Sequence, residues 1–443
     1  MKFGGTSVRD AAAIRAAAAL VIAAAGRRPA VVVSAAAGVT DSLVRIVTAA
    51  VLPAAERRVD LAQELQELRR RHEAIAADLA VAADIDGPLA QLGDLVRGLE
   101  LLGEATRRTR DLCLSFGEIL LSRIFAAYLE QQGQPSTAWV AGDLGLLTDD
   151  RFGRARPLPE SFELIAAKLS ECTMIPVITG FVGATRDGRR TTLGRGGSDY
   201  SASLVARAVG AEELQIWTDV DGIMTADPRV VADARCIQQL SFGEASELAY
   251  SGARVLHPFT ISPAMEAGIP VRVLNTTAPE RAGTTILGTP GSGQSNLRSI
   301  AHKTGVQVIT VVSPRMLDRH GFVSRIAAAF DRSHISIDMI STSEVSVSLT
   351  TDEPIGELDD TIEELQSFAE EVVVEGGRGM VSVVGVGLGE NSDLVGKILG
   401  TVAEKAADIE MVSYGATRLN LAVLIPEASV EPVVKHLHNE YFQ

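Results

Sequence analysis

Lysine is scarce in this chain. Lys+Arg is 41 in 443 residues, and only six of these are lysines. Cysteine is scarcer still: Cys113, Cys172 and Cys236 are odd in number and far apart. That spacing excludes a disulfide framework or a cysteine metal site and fits a reducing cytosol. Aromatic residues make up 4% against 46% apolar, so the interior must be built mainly from Ala, Val, Leu and Ile. Zinc motifs of the H-E-x-x-H kind are missing, and His436 and His438 read as surface residues. Positive charge is the minority sign, with Asp+Glu 56 and a net charge of −15. A general nucleic-acid or anionic-membrane surface is therefore excluded, while a local basic pocket stays open. One stretch, "AAAIRAAAALVIAAAGRRPA", imitates a secretory signal. Asp10 and Arg15 interrupt it and a strand-like "AVVVSAAAG" follows, so it reads as a buried helix. No other uninterrupted apolar run is long enough to span a bilayer, and a soluble cytoplasmic protein is expected.

The length suffices for two or three domains. The first half alternates Val/Ile-rich runs with helical patterns, as in an α/β sheet with crossover helices. Strands are expected at "AVVVSAAAG" (30–38), "STAWVAG" (136–142), "MIPVITGFVGA" (174–184) and "LQIWTDVDG" (214–222). Ligands in such sheets sit outside the C-terminal ends of the strands. Residues 53–112 read as a helical insertion, with a long helix continuing through "CLSFGEILLSRIFAAYLEQQG". "LGTPGSGQSN" (287–296) reads as a domain boundary. Beyond it, "VQVITVVS", "HGFVSRIAAAFDRSH", "ISIDMISTS" and "VSVSLT" give strand, helix, strand, strand. "MVSVVGVG", "SDLVGKILGTVAEKA", "DIEMVSYGA" and "RLNLAVLIP" repeat that order. The first copy continues with a helix (357–369) and the strand "EEVVVEG"; the second ends on a helix and lacks its last strand. The orphan strand "LRSIAH" (297–302) is expected to pair into the second copy, nesting the first inside it.

Four stretches combine glycines with charged or hydroxyl side chains. "KFGGTS" sets Lys2 beside Gly4, Gly5, Thr6 and Ser7. It is either a phosphate cradle with a compact cation or a hydroxyl-capped helix with an exposed lysine. In "TTLGRGGSDYSAS" (191–203), Arg195 offers a planar fork for a carboxylate or phosphate. Asp199 there could hold a substrate amine, an active-site lysine or a metal-bound water, or simply cap a helix. "WTDVDGIMTADPR" (217–229) is either a nucleotide-gripping loop or an ordinary Asp/Gly/Pro turn. "SFGE" (115–118) places Glu118 after a glycine in a helical context, a position that is functional or merely solvated. A fifth stretch, "VSVVGVGLGENSDLVGK", imitates a dinucleotide fingerprint, but its last glycine is misplaced.

Taken in order, "KFGGTS", "VVVSAAAGVTD", "SFGE", "TTLGRGGSDYSA", "TDVDGIMTADPR" and "GARVLHP" resemble the aspartate kinases of the amino-acid kinase family. "GFVSRIAAAFDRSHISIDMISTSEVSVSLT" is similar to that family's regulatory ACT domains. The resemblance covers nearly the whole chain and is closest to the single-function, lysine-inhibited bacterial form. It leaves no room for a fused homoserine dehydrogenase. It implies an α/β amino-acid kinase fold, a mainly parallel sheet between helices, over 1–290, followed by two ferredoxin-like α+β ACT units in 291–443. The first unit would span about 306–378, and the second about 379–443 plus strand 297–302. It also implies transfer of the ATP γ-phosphoryl group to the β-carboxylate of L-aspartate, giving 4-phospho-L-aspartate. That product opens the route to lysine, threonine, methionine and isoleucine.

By the same resemblance, Lys2 contacts the transferring phosphoryl group and Asp199 orients Lys2. Gly4 and Gly5 cradle the ATP phosphates, while Arg195 clamps the aspartate α-carboxylate and Glu118 receives its α-ammonium. Ser34, Thr40 and Ser198 line the aspartate pocket; Thr218, Asp219, Asp227, Arg229 and Arg254 contact the nucleotide. Mg2+ comes with ATP rather than from a protein metal site. An allosteric lysine site is implied at Met316, Gly321, Phe322, Ser336, Asp338, Thr342, Ser343 and Glu344. Pairing through the ACT units would give a homodimer or a dimer of dimers. Three departures stand out. The chain begins one residue before Lys2, so the first strand is short or the start is truncated. Met224 stands where the family often has Tyr, and Arg254 stands where it commonly has lysine. The rival readings are another carboxylate kinase of this fold, such as acetylglutamate kinase, and a catalytically dead amino-acid sensor. "SFGE" and the paired tail argue against the first, and Lys2, Arg195 and Asp199 against the second.

Overall fold

Short β-branched runs suit a buried parallel ladder, and alanine-rich stretches with one apolar face suit the helices that cover it. The computed structural model describes residues 1–252, 258–288, 297–313 and 321–442. They form two compact units, Met1–Gly222 with Leu256–Gly288, and Ile223–Val255 with Thr289–Gln443.

In the first unit, β1 (Lys2–Phe3) is followed by α1 (Ala11–Ala23), β2 (Val31–Val33) and α2 (Val39–Ala50). Although only two residues long, β1 is paired on both edges, Lys2 with Val32 and Ile216, Phe3 with Val33 and Trp217. Phe3 is fully buried between Phe125 and Trp217, with ring centroids 5.9 and 6.3 Å away. Such burial stabilises by roughly 1.5–3 kcal/mol. The signal-like stretch is α1, capped by Asp10 accepting from the Ala13 N–H and burying Ile14, Ala17, Ala18 and Val21.

The helical insertion consists of α3 (Leu61–Leu79), α4 (Asp86–Leu102) and α5 (Arg107–Leu114). The long helix expected after it is in fact two. Ser115, whose hydroxyl donates to the Leu112 carbonyl at 2.7 Å, separates α5 from α6 (Phe116–Gln131). The span Arg107–Gln131 is also long and apolar enough to cross a membrane, which the sequence reading did not register. Its most apolar window is 72% buried, because Phe116, Leu120, Ile124, Phe125 and Leu129 fill the core.

Next come β3 (Ser136–Trp139), α7 (Ala141–Leu144), α8 (Ser161–Glu171) and β4 (Ile175–Thr179). The single strand expected over 174–184 breaks at Gly180–Phe181, and β5 (Val182–Ala184) turns away to pair antiparallel with β6 (Arg190–Thr192). Gly180 has no alternative, since a Cβ there would lie 2.6 Å from Ser198 Cβ. After α9 (Gly197–Val209) and β7 (Leu214–Thr218), the chain leaves this unit for a segment carrying β8 (Gln239–Ser241) and α10 (Phe242–Tyr250). It returns with α11 (Pro258–Glu266), β9 (Val271–Asn275) and β10 (Thr284–Leu287). Within this unit the strands run β3-β4-β2-β1-β7-β9-β10, parallel except for β10.

The second unit carries β11 (Ser299–Val312), α12 (Phe322–Arg332), β12 (Ile340–Thr342), β13 (Ser346–Thr351), α13 (Asp359–Gln366) and β14 (Glu371–Val384). It closes with α14 (Gly387–Glu390), α15 (Ser392–Ala403), β15 (Met411–Tyr414), β16 (Asn420–Pro426) and α16 (Glu427–Tyr441). "LRSIAH" and "VQVITVVS" are one strand, β11, rather than two. Its Ser299–Lys303 part pairs with Met380–Val384, and its Val308–Val312 part with Glu371–Glu375, across irregularities between Lys303 and Val308. "EEVVVEG" and "MVSVVGVG" merge likewise into β14, so the two repeats share one antiparallel sheet, β12-β13-β11-β14-β16-β15. Bulging absorbs the offset between the joined segments. Gly379 is needed there because a Cβ would sit 2.3 Å from Val430 Cγ2.

Residues 223–252 pack with the second unit. The Ile300 N–H donates to the Thr225 carbonyl and the Ser299 hydroxyl to the Met224 carbonyl. Ala226 and Val231 join the core of Leu297, Ile300, Val383 and Val434.

Candidate active site

Lys2 is not an exposed lysine beside a capped helix. Its side chain is buried on β1, and Nζ lies 2.7 Å from Asp199 Oδ1 in the first turn of α9. Neither Thr6 nor Ser7 caps a helix, because Gly5–Val8 is a short 3-10 turn and α1 takes its cap from Asp10. Ser7 instead shares a 2.7 Å hydrogen bond with Thr276. The glycines serve different purposes. A Cβ on Gly4 would stand 3.3 Å from Lys2 Nζ, in the space the ammonium uses, and the Gly4 N–H donates to the Trp217 carbonyl. A Cβ on Gly5 would stand 3.0 Å from the Ala35 carbonyl oxygen, so this glycine lets two backbones touch.

Ala35 also links this strand end to Glu118. The Ala35 N–H donates to Glu118 Oε1 at 3.1 Å, and α6 can come so close because a Cβ on Gly117 would lie 2.8 Å from Ala35 Cβ. Glu118 is 3% exposed, and its Oε2 is buried with no partner among the described residues. Burial pushes this carboxyl up to about 8, against the smaller pull of the Ala35 N–H. Ser34 and Thr40 are half-buried after β2 and in the first turn of α2, which starts after Gly38 in a left-handed conformation. Across the sheet ends, Arg195 is exposed between Gly194 and Gly196, both at positive φ. Ser198, half-buried, packs against Gly180. No side chain caps α9, leaving N–H groups of its first turn for an anion.

Thr218 ends β7; its carbonyl accepts from the Thr276 N–H and its hydroxyl donates to Asp219 at 3.2 Å. Asn275 and Arg281, which the sequence did not single out, both bond the Asp221 carboxylate next in that loop. Asp227 and Arg229 belong to the second unit and are bonded to each other at 2.6 Å. That guanidinium holds Asp227 below the usual carboxylate range. Any phosphate recruited by Arg229 must compete with it. Arg254 lies outside the described residues.

Of the effector candidates, Met316 lies outside the described residues. Gly321, with φ of 85°, is the N-cap of α12, and Phe322 is buried beneath it. Ser336 is exposed, as are Thr342 at the end of β12 and Ser343 and Glu344 in the following turn. The Ser343 and Ser346 hydroxyls bond at 2.8 Å. Asp338 differs from these: its Oδ1 already takes Lys303 Nζ at 2.9 Å, while its Oδ2 is buried and without a partner among the described residues. Burial pushes the Asp338 carboxyl up and Lys303 pulls it back.

Residues 1–275 match the amino acid kinase family, and residues 309–358 and 381–441 the ACT domain. The lysine-sensitive aspartokinase 3 of Escherichia coli is 36% identical over 461 residues, covering all of this chain and 98% of its own. The E. coli aspartokinase III structure with aspartate and ADP, called the R-state, superposes with TM-score 0.84 at 33% identity, covering 100% of this chain and 99% of that one. The same enzyme with lysine and aspartate, its T-state, gives 0.80 at 34% identity over the same shares. The chain belongs to the amino acid kinase family, and within it to the aspartokinases.

Proposed function

We propose that this chain transfers the γ-phosphoryl group of ATP, bound as its Mg2+ complex, to the β-carboxylate of L-aspartate, and that L-lysine inhibits it. The observation that carries the reading is the buried Lys2–Asp199 ion pair beside Gly4 and Gly5. Phosphoryl transfer asks mainly for positioning and for neutralisation of spreading negative charge. The acceptor is already a carboxylate at neutral pH, so no general base is needed. Lys2 meets the transferring group, held by Asp199 in one direction, while the Gly4–Gly5 backbone lies along the phosphates. Thr218 and Asp219 contact the nucleotide. Arg195 grips the aspartate α-carboxylate, with Ser34, Thr40 and Ser198 lining the pocket. Glu118 takes the α-ammonium on the oxygen that has no partner among the described residues. Asp338 is the chief acid for the inhibitor's ammonium. A cytosolic setting suits cysteines none of which is in a disulfide.

ADP release tests the reading, measured with L-aspartate or N-acetylglutamate and with or without millimolar lysine. Turnover with aspartate alone, suppressed by lysine, is expected. Turnover with N-acetylglutamate would overturn the acceptor, and suppression by threonine but not lysine would overturn the effector.

A further inference from the structure

Asp111 lies on α5 outside every motif above, and it is 2% exposed. Its Oδ2 accepts from the Gly153 N–H at 2.9 Å and the Thr192 N–H at 2.8 Å, and its Oδ1 from the Thr192 hydroxyl at 2.9 Å. Burial raises its pKa and these donors lower it; among the described residues it has no ion pair. A carboxylate only accepts, so it suits three converging donors. A buried charge held by hydrogen bonds without a counter-charge is nevertheless a costly way to close a loop.

The three segments joined here bear on the aspartate pocket. Only Ser115 separates α5 from α6, whose first turn bears Glu118. Thr192 ends β6, just before the Gly194–Arg195–Gly196 loop. Gly153 presses on that loop, since a Cβ on Gly194 would lie 3.1 Å from the Gly153 carbonyl oxygen. The Ala155 N–H donates to the Thr192 carbonyl at 2.9 Å. The same elements touch again where the Arg190 guanidinium lies 5.5 Å over the Phe116 ring. Arg195 itself has no ion pair among the described residues, so its loop takes its place from these anchors.

We propose that Asp111 is a positioning residue, setting the distance between the carboxylate clamp Arg195 and the ammonium acceptor Glu118 through its hydrogen bonds to Gly153 and Thr192. The inference rests on the aspartate-binding roles given above to Arg195 and Glu118. An amino acid held at both ends is sensitive to that separation, and misplacement weakens aspartate binding without touching ATP.

Steady-state kinetics with each substrate varied test it on Asp111→Ala, Asp111→Asn, Thr192→Val and Arg195→Ala. Asparagine keeps the pattern, its carbonyl accepting both N–H bonds and its amide donating to the Thr192 hydroxyl. Asp111→Ala should raise KM for aspartate at least tenfold and leave KM for ATP within twofold; Asp111→Asn should restore both. Thr192→Val, which removes one of the three bonds, should raise KM for aspartate by less, and it serves if the alanine variant does not fold. Equal rises in both KM values, or an asparagine variant as impaired as alanine, would overturn the proposal. So would an unchanged KM for aspartate in Asp111→Ala or, failing that protein, in Thr192→Val. Arg195→Ala separates the two failures: unchanged KM for aspartate there removes the clamp and the proposal together. A rise there without one in the Asp111 and Thr192 variants removes only Asp111.

Discussion

Deleting Lys2 has two consequences that add. The transferring phosphoryl group loses its cation, and Asp199, with a side chain only 16% exposed, is left unpaired. Lys2→Ala should therefore lower turnover ~10²–10³-fold, the scale of one preorganised charge-stabilising group. Near-normal turnover in the folded variant would discard the assignment. Glu118 makes a different prediction. Its carboxyl is raised to about 8 from an ordinary 4.5, so between these values the native state holds a proton the unfolded chain has released. Its contribution to stability is present below the lower value and is lost as pH rises through the upper one. In thermal melts, Glu118→Gln should match the parent near the lower value and exceed it near the upper one, while turnover with aspartate falls. A melting difference constant across pH would show that the Glu118 carboxyl is not raised in the folded protein. Both residues were legible in the sequence because each stands beside glycines with a purpose. Asp111 was not, because its donors are 42 and 81 residues away and no local pattern announces them.

At the scale of elements, the Lys303–Asp338 pair joins β11 to the segment leading into β12, with Asp352 3.7 Å from the same ammonium. An internal cation already occupies the carboxylate assigned to the inhibitor, and it repels an incoming ammonium. Lys303→Met should lower the lysine concentration needed for half-inhibition, with basal activity unchanged. A higher concentration, or an unchanged one, would mean that the inhibitor's ammonium does not compete with Lys303. Strand positions were readable from β-branched runs, but their ends were not. Gly180 ends β4 because α9 presses on it, whereas the glycines near 376–379 only shift the register of a ladder that continues past them.

For the whole molecule, the sheet of the second unit ends in β12 and β15, whose outer edges carry no further strand among the described residues. Ile340 is 50% exposed, Val412 48% and Tyr414 39%. β12 and β15 lie close to each other, with Met339 and Met411 in one buried cluster, and edges with exposed apolar side chains pair readily with another chain. Light scattering should give at least twice the 46.8 kDa chain mass, and Val412→Asp with Tyr414→Asp should reduce it. A monomer at micromolar concentration would remove dimerisation through these edges.

The chain of 443 residues by itself determined the class of fold and, through its resemblance to a family, which residues to consider, because glycine, charge and hydroxyl patterns are local. Tertiary structure decided the rest. It put residues 223–252 with the second unit and fused four predicted strands into two. It also occupied Asp338 with Lys303 and gave Asp111 its three donors. These outcomes depend on which distant backbones meet, and hydrogen bonds between them carry no signature in the order of residues.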